Sequence, residues 1–270
     1  MKRIHIVGLS PRTGTTLMVE VMKTCYQIEA VTNHEDRLFT RARGRPSVFL
    51  SKAPKDITIV RPSLIIDPDL YVICMIRDPR DVISSKHKKD PNRYWAGLKF
   101  WRHYLRFYDQ IVDHPRFIPV KYEAFVSNPD ETQKLISQKI PFLKKESLFS
   151  RYHEQASVTE ASKQALRSVR PIKPASVGRW KKHKPRIAGQ LKLHGSITGD
   201  LIRFNYEHDD DWLQTLSGIK PDLAPGHFKE FMSFKDRRFL QLGKYAEACH
   251  RIIEQRVGRR IRITHPKKWF

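Results

Sequence analysis

Lys2-Arg3-Ile4-His5-Ile6-Val7-Gly8-Leu9-Ser10-Pro11-Arg12-Thr13-Gly14-Thr15-Thr16-Leu17 stands near the start of the chain and decides how the rest is read. Residues 2–8 alternate and are rich in β-branched side chains, which predicts a strand. Leu9 to Gly14 contains a proline and a glycine and predicts a turn. Thr15 to Tyr26 predicts a helix, with Leu17, Met18, Val21, Met22 and Cys25 on one face. The first turn of a helix has backbone N–H groups without intrahelical partners and the positive end of the helix dipole. Gly14 lets the main chain come close to a bound group, Thr15 and Thr16 bring hydroxyls, and Arg12 brings a guanidinium. Such a loop cradles phosphate. It is not the nucleoside-triphosphate loop G-x-x-x-x-G-K-[ST]: Gly8 and Gly14 are one residue too far apart, and no lysine follows Gly14. ATP hydrolysis is therefore a poor expectation, and a glycine turn capped by threonine is the plain alternative.

Further along, Val48 to Ser51 predicts a short strand. Tyr71 to Ile76 is a continuous apolar run of the kind buried on both faces of a parallel sheet. Pro79 to His87 predicts a helix with proline at its start, and Arg93 to Asp113 a long aromatic helix. Phe117 to Lys121 predicts a strand and Asp130 to Ile140 a helix. Strands alternating with helices imply an α/β domain with a mainly parallel sheet. Arg151 to Arg186 reads as mixed loop and short helix. Phe228 to Val257 carries apolar residues at 228, 231/232, 239, 242, 245/246, 249, 252/253 and 257. That stripe predicts a helix docked on the core, with a membrane-surface or partner-binding helix as the alternative.

Composition narrows the classes. With 270 residues and 40% hydrophobic content the chain can bury a core. The apolar run Tyr71 to Ile76 is too short to span a membrane, and no secretory h-region follows Met1-Lys2-Arg3. The three cysteines, Cys25, Cys74 and Cys249, are widely spaced and form no Cys/His cluster, against a disulfide scaffold or a structural zinc. A soluble, cytoplasmic protein is expected. Fifty-one Lys and Arg against 28 Asp and Glu give a net charge of +23, which attracts polyanions. Ala161 to Gly199 holds ten basic residues and no acid, and Lys220 to Phe270 holds thirteen basic and five acidic residues. No RRM signature or helix-turn-helix accompanies this charge, so a nucleic-acid or polyanion-binding protein is an alternative without a reading element.

The apolar run ends in Arg77-Asp78-Pro79-Arg80-Asp81-Val82-Ile83-Ser84-Ser85. An arginine at the carboxyl end of a central strand points into the crevice where open α/β sheets bind ligands. Ser85, eight residues on, is expected to grip the same anion. At this point the residues resemble a known family. Ser-Pro-Arg-Thr-Gly-Thr-Thr-Leu (10–17) resembles the 5′-phosphosulfate loop of sulfotransferases that use 3′-phosphoadenylyl sulfate (PAPS). Arg77 with Ser85 resembles their 3′-phosphate site. Ile118-Pro119-Val120-Lys121-Tyr122-Glu123, followed by Asn128-Pro129, resembles a later strand whose tyrosine lies near the cofactor. Ile172-Lys173-Pro174 through Ser176-Val177-Gly178-Arg179-Trp180-Lys181 resembles the loop that closes over it, and Gly199 to Tyr206 the final short helix. The resemblance covers residues 3 to 207.

It implies a P-loop-like three-layer α/β/α fold, with a sulfotransferase domain over 1–215; Lys220 to Phe270 lies beyond the resemblance, and residues 216–270 are expected as a basic helical extension packed on that domain. It implies in-line transfer of a sulfuryl group from PAPS to a hydroxyl or amine, leaving PAP, without a metal. By analogy with phosphoryl transfer, the protein supplies position and charge. Arg12 and Lys52 are expected beside the transferring group, with Thr13, Gly14, Thr15 and Thr16 as the cradle. Arg77, Ser85, Lys89, Tyr122 and Lys173 are expected on the nucleotide. The histidine that serves as base in the phenol and steroid branch is replaced by Ser51. Glu35, in Asn33-His34-Glu35-Asp36, is the expected base, as in the tyrosylprotein and carbohydrate branches, with His34 as the alternative. The nearest description is a soluble, bacterial-type member of that wider group. An acidic glycan or peptide suits the basic surface as acceptor. An ATP-dependent kinase with an aberrant loop, or a non-catalytic PAPS sensor, are the other readings.

Overall fold

The structure, a computed structural model, describes residues 1–32, 35–42, 44–86, 90, 92–158, 162–163, 166, 168–227 and 234–257. The strands are β1 (Lys2–Gly8), β2 (Ala30–Val31), β3 (Val48–Lys52), β4 (Leu70–Ile76) and β5 (Phe117–Lys121). The first helices are α1 (Thr15–Cys25), α2 (Ile57–Ile66), α3 (Pro79–Ile83), α4 (Leu98–Tyr108) and α5 (Tyr122–Ser127). They are followed by α6 (Pro129–Lys139), α7 (Tyr152–Gln155), α8 (Lys184–His194), α9 (Thr198–Arg203) and α10 (Phe234–Val257).

The strands form one sheet in the order β2-β3-β1-β4-β5, and every pairing is parallel. Alternation along the strands divides the core into two layers. Ile4, Ile6, Ile73, Met75, Ile118 and Val120 face Met18, Val21 and Met22 of α1, Phe125 of α5, Ile136 of α6 and Tyr152 of α7. Val7, Val72, Cys74, Ile76 and Phe117 face the other way, onto Ile59, Val60 and Leu64 of α2 and Trp101, Tyr104 and Leu105 of α4. A third cluster joins Ile83 to Leu98, Trp180, Ile187, Leu201 and Trp212. This is the three-layer, P-loop-like α/β arrangement, with β1 at the centre and helices on both faces.

Several boundaries differ from the sequence reading. The helix expected over 79–87 ends at Ile83. Asp78 caps its start by accepting from the Arg80 N–H at 2.8 Å, and the chain then turns so that Lys86 pairs with Tyr94 in an antiparallel bridge. Ser85 therefore lies just past the helix rather than two turns into it. The helix expected over 93–113 runs only from Leu98 to Tyr108, because Gly97 is extended (φ −123°, ψ 179°) and turns follow Tyr108. Helix α2 carries no helical signature in Ile57-Thr-Ile-Val-Arg-Pro-Ser-Leu-Ile-Ile66; its β-branched run and internal Pro62 favour other conformations.

The expected C-terminal stripe also divides. Described from Phe234, α10 turns Tyr245, Ala248 and Ile252 toward the layer of α2, while Phe239, Leu242, Ile253 and Val257 are exposed. Gln241 donates to the Thr58 carbonyl at 2.6 Å, and Lys244 donates to the Lys55 carbonyl at 2.9 Å. The helix docks through Tyr245 and Ile252 of the expected stripe, with Gln241, Lys244 and Ala248 beside them, while the stripe positions 239, 242, 249, 253 and 257 face away. Among the described residues no helix is long and apolar enough to cross a membrane.

Candidate functional site

In an all-parallel sheet every strand delivers its carboxyl end to the same edge. Here that edge carries the loop after β1, Lys52 at the end of β3, Arg77 directly after β4 and Tyr122 directly after β5. The loop is tightly wound. Thr13 Oγ1 donates to the Ser10 carbonyl at 3.0 Å, and Arg12 adopts a left-handed φ of 75°. Gly14, the N-cap of α1, has φ 92° and places no capping side chain on the first turn of the helix. The N-terminal N–H groups of α1 are thus left to the loop and to whatever binds there. Thr15 is buried, Thr16 half-buried, and the Arg12 side chain stands exposed at the rim.

Arg77 is the hub of the edge. Its Nη1 donates to the Arg12 carbonyl at 3.2 Å, so the arginine holds the phosphate-type loop from below. Its Nη2 donates to the Ser176 carbonyl and lies 3.4 Å from Asp81 Oδ2. The guanidinium stacks over the Tyr122 ring at 4.6 Å. Its Nε is buried with no hydrogen-bond partner. A buried cationic N–H left open in this way is costly unless an acceptor arrives, which suits an anion-binding role.

Asp81 completes the hub. Its Oδ2 accepts from the Gly178 N–H at 2.9 Å and its Oδ1 from the Trp180 N–H at 2.8 Å. One carboxylate thereby straps residues 176–180 against the strand end. Ser85 joins the same group, since its hydroxyl donates to the Asp81 carbonyl at 3.0 Å. Lys173 stands exposed at the start of the strap. Glu123, next to Tyr122, accepts from the Asp78 N–H at 3.0 Å and from the Tyr206 hydroxyl at 3.0 Å. Burial pushes the Glu123 carboxyl above its usual range, against the Asp78 N–H that it accepts.

On the other side of the loop, Lys52 is buried and donates to Thr16 Oγ1 at 3.0 Å. Glu35 Oε1 lies 3.5 Å from the Lys52 ammonium, with the carboxylate itself exposed. Burial pushes the Lys52 amine below the ordinary lysine value, opposed by the pull of Glu35. Asp36 N–H donates to the Lys52 carbonyl at 2.9 Å, which keeps this acidic segment against the end of β3. Ser51 is buried with its hydroxyl 2.7 Å from His5 Nδ1, inside the fold rather than at the edge.

The structure thus brings Arg12, Thr13, Gly14, Thr15, Thr16, Lys52, Glu35, Arg77, Ser85 and Tyr122 to one edge. His34 and Lys89 lie outside the described residues. Asp81, Ser176 and Glu123 were not singled out from the sequence. Asp81 had one local signal, its four-residue spacing from Arg77, while its contacts with Gly178 and Trp180 are too distant in sequence to be read. Among the described residues no three His, Cys, Asp or Glu side chains cluster in a way that holds a metal ion.

No family model matches the chain. No curated protein matches it either. Among solved structures it is similar to a sulfotransferase domain from the Synechococcus PCC 7002 olefin synthase, at 16% identity over 67% of this chain and 87% of that one, with a TM-score of 0.49. It is similar to a sulfotransferase domain from the curacin biosynthetic pathway, at 12% identity over 68% of this chain and 97% of that one, with a TM-score of 0.36. It is also similar to sulfotransferase STF9 from Mycobacterium avium, at 15% identity over 66% of this chain and 43% of that one, with a TM-score of 0.27.

Proposed function

We propose that this chain is a sulfotransferase that moves a sulfuryl group from PAPS to a hydroxyl or amine of an acceptor and releases PAP. The observation that carries the reading is the convergence on Arg77. Its contacts, with those of neighbouring Asp78 and Asp81 and of Glu123, which Asp78 holds, join segments 10–17, 77–85, 118–129, 172–181 and 199–206. Those are the five segments whose sequences resemble the PAPS-dependent family.

In this reading the loop 10–16 and the start of α1 take the 5′-phosphosulfate, with backbone N–H groups and Thr hydroxyls as donors. Arg77, Ser85, Lys89 and Lys173 take the 3′-phosphate, and Tyr122 lies beneath the nucleotide. The acceptor oxygen attacks sulfur in line with the bond to the bridging phosphate oxygen. As that S–O bond breaks, Arg12 and Lys52 stabilise the charge growing on the leaving phosphate. Glu35 takes the proton that the acceptor loses. This reading is supported by the 3.5 Å separation of Glu35 Oε1 from the Lys52 ammonium. The basic surface favours an acidic glycan or peptide as acceptor, and the domain of residues 1–215 carries the chemistry with 216–270 as an appended helical layer.

The test is incubation of the purified protein with radiolabelled PAPS and fractionated cell metabolites, following the label. Label in an acceptor fraction supports transfer. Binding of ATP with magnesium, and none of PAP, overturns the reading in favour of a kinase.

A further inference from the structure

Helix α10 has two faces of different character. Toward the core, Gln241 and Lys244 bond to Thr58 and Lys55 around α2, and Tyr245, Ala248 and Ile252 meet the apolar layer. Its two described glutamates are held on its own protein: Glu247 lies 3.4 Å from Arg37 Nε, and buried Glu254 lies 3.4 Å from Arg251. The exposed positions are Lys235, Arg238, Phe239, Leu242, Ala246, Cys249, Ile253, Arg256 and Val257. At 100° per residue these fall within one arc of about 100°. Leu242 is 66% exposed, Ile253 49% and Val257 56%. The described face therefore consists of aliphatic or small side chains, one phenylalanine and cations, with no acid.

Helix α2, against which α10 packs, repeats this composition. Its exposed residues are Arg61, Ile65 and Ile66, with Ile65 75% exposed. Among the described residues, the fully exposed positions of these two contacting helices are apolar, small or positively charged, on a chain of net charge +23. A second copy of this helix would bring a like-signed surface against its own kind. A surface of opposite charge with an apolar interior satisfies both features.

We propose that the exposed face of α10 docks on an anionic phospholipid bilayer, lying in the plane of the interface with Leu242, Ala246, Cys249 and Ile253 inserted and Lys235, Arg238 and Arg256 on the headgroups. Helices of this type bind by the sum of buried apolar area and attraction to anionic lipid. The proposal stands apart from the sulfotransferase reading, since it needs neither nucleotide nor acceptor.

The experiment uses the full chain and vesicles of phosphatidylcholine with or without about 30% phosphatidylglycerol, at about 0.15 M salt, where surface charge acts only at short range. Cosedimentation with the anionic vesicles alone is expected. The paired change Leu242→Ser with Ile253→Ser keeps every charge and is expected to weaken that binding at least about tenfold. A second readout needs no variant. Cys25 and Cys74 are buried and Cys249 is exposed, so an environment-sensitive dye can be placed on Cys249 of the native chain. A blue shift on anionic vesicles supports insertion. Equal binding of the paired variant, or an unshifted dye on vesicle-bound protein, reduces the effect to bulk charge and overturns the proposal. A concentration-dependent dimer that the paired variant abolishes, without vesicle binding by the native chain, overturns it in favour of a second copy.

Discussion

Gly14 sits directly against the ring of Tyr122: a methyl group added to Gly14 would come within 2.5 Å of Tyr122 Cδ2. The same ring carries the Arg77 guanidinium at 4.6 Å. The loop glycine, the tyrosine after β5 and the arginine after β4 are therefore one packing unit. Gly14→Ala meets two separate penalties, a left-handed backbone that costs a non-glycine residue about 1–2 kcal/mol and the clash with the ring. It is expected to destabilise the fold by about 2 kcal/mol or more in denaturant titrations. In a Tyr122→Ala background the clash is gone, and the same change should cost only about 1 kcal/mol. Equal costs in the two backgrounds would show that the ring is not what excludes a side chain.

Removing the Arg77 side chain tests the 3′-phosphate assignment. A charged hydrogen bond contributes roughly 1.5–3 kcal/mol, so Arg77→Ala should weaken PAP binding about ten- to a hundredfold in calorimetry. Affinity for adenosine 5′-phosphate, which lacks the 3′ group, should change much less. Parallel losses for both nucleotides would point to a general collapse of the edge instead.

Arg12 adopts a left-handed backbone, and glycine accepts that conformation without strain. Arg12→Gly therefore removes the guanidinium while leaving the loop its shape. Turnover with labelled PAPS should fall at least about a hundredfold, as for other donors aimed at a developing charge. Near-native turnover would take Arg12 out of the transfer step.

Asp81 fastens the strap by two backbone hydrogen bonds, at 2.9 Å and 2.8 Å. Asp81→Asn keeps the shape but loses the charge and one acceptor oxygen. Trypsin should then cut at Arg179, Lys181 or Lys182 about tenfold faster, since each charge-assisted bond contributes at least about 1.5 kcal/mol. Unchanged cleavage would mean that the strap is held by Trp180 packing alone.

The sequence made the ends of the sheet legible and left its sides obscure. β1, α1, β4 and β5 follow from local alternation, apolar runs and turn residues, and each lies within a residue of its expected bounds. α2 was invisible because packing between β4 and α10, not propensity, makes Ile57–Ile66 helical. α3 was read too long because the turn that ends it is fixed by Tyr94, which lies beyond any local pattern. Within the site, residues that follow a strand directly could be placed, as with Arg77 and Lys52. Asp81 could not, since its partners lie 97 and 99 residues away.

The docking of α10 leaves a pH signature. Burial pushes the Lys244 amine down to about 8, offset in part by Asp56. Between about pH 8 and the ordinary lysine value near 10.4, the unfolded chain holds this proton and the folded chain has released it. The unfolded state then binds more protons, so stability contributed by this group rises with pH across that window. Measured as the difference between the native chain and Lys244→Met, unfolding free energy should climb from pH 8 to pH 10. A flat difference would place the amine in contact with water.

Arg77 draws one of its backbone acceptors from 65 residues upstream and another from 99 residues downstream. During synthesis the central strands can pair long before the downstream carbonyl leaves the ribosome. The nascent polypeptide therefore carries a half-assembled, strongly cationic groove for much of its production. A chain ending before residue 176 would lack the Ser176 carbonyl that Arg77 uses and the Gly178 and Trp180 N–H groups that Asp81 holds, so the rear of the clasp is the last part that synthesis can supply.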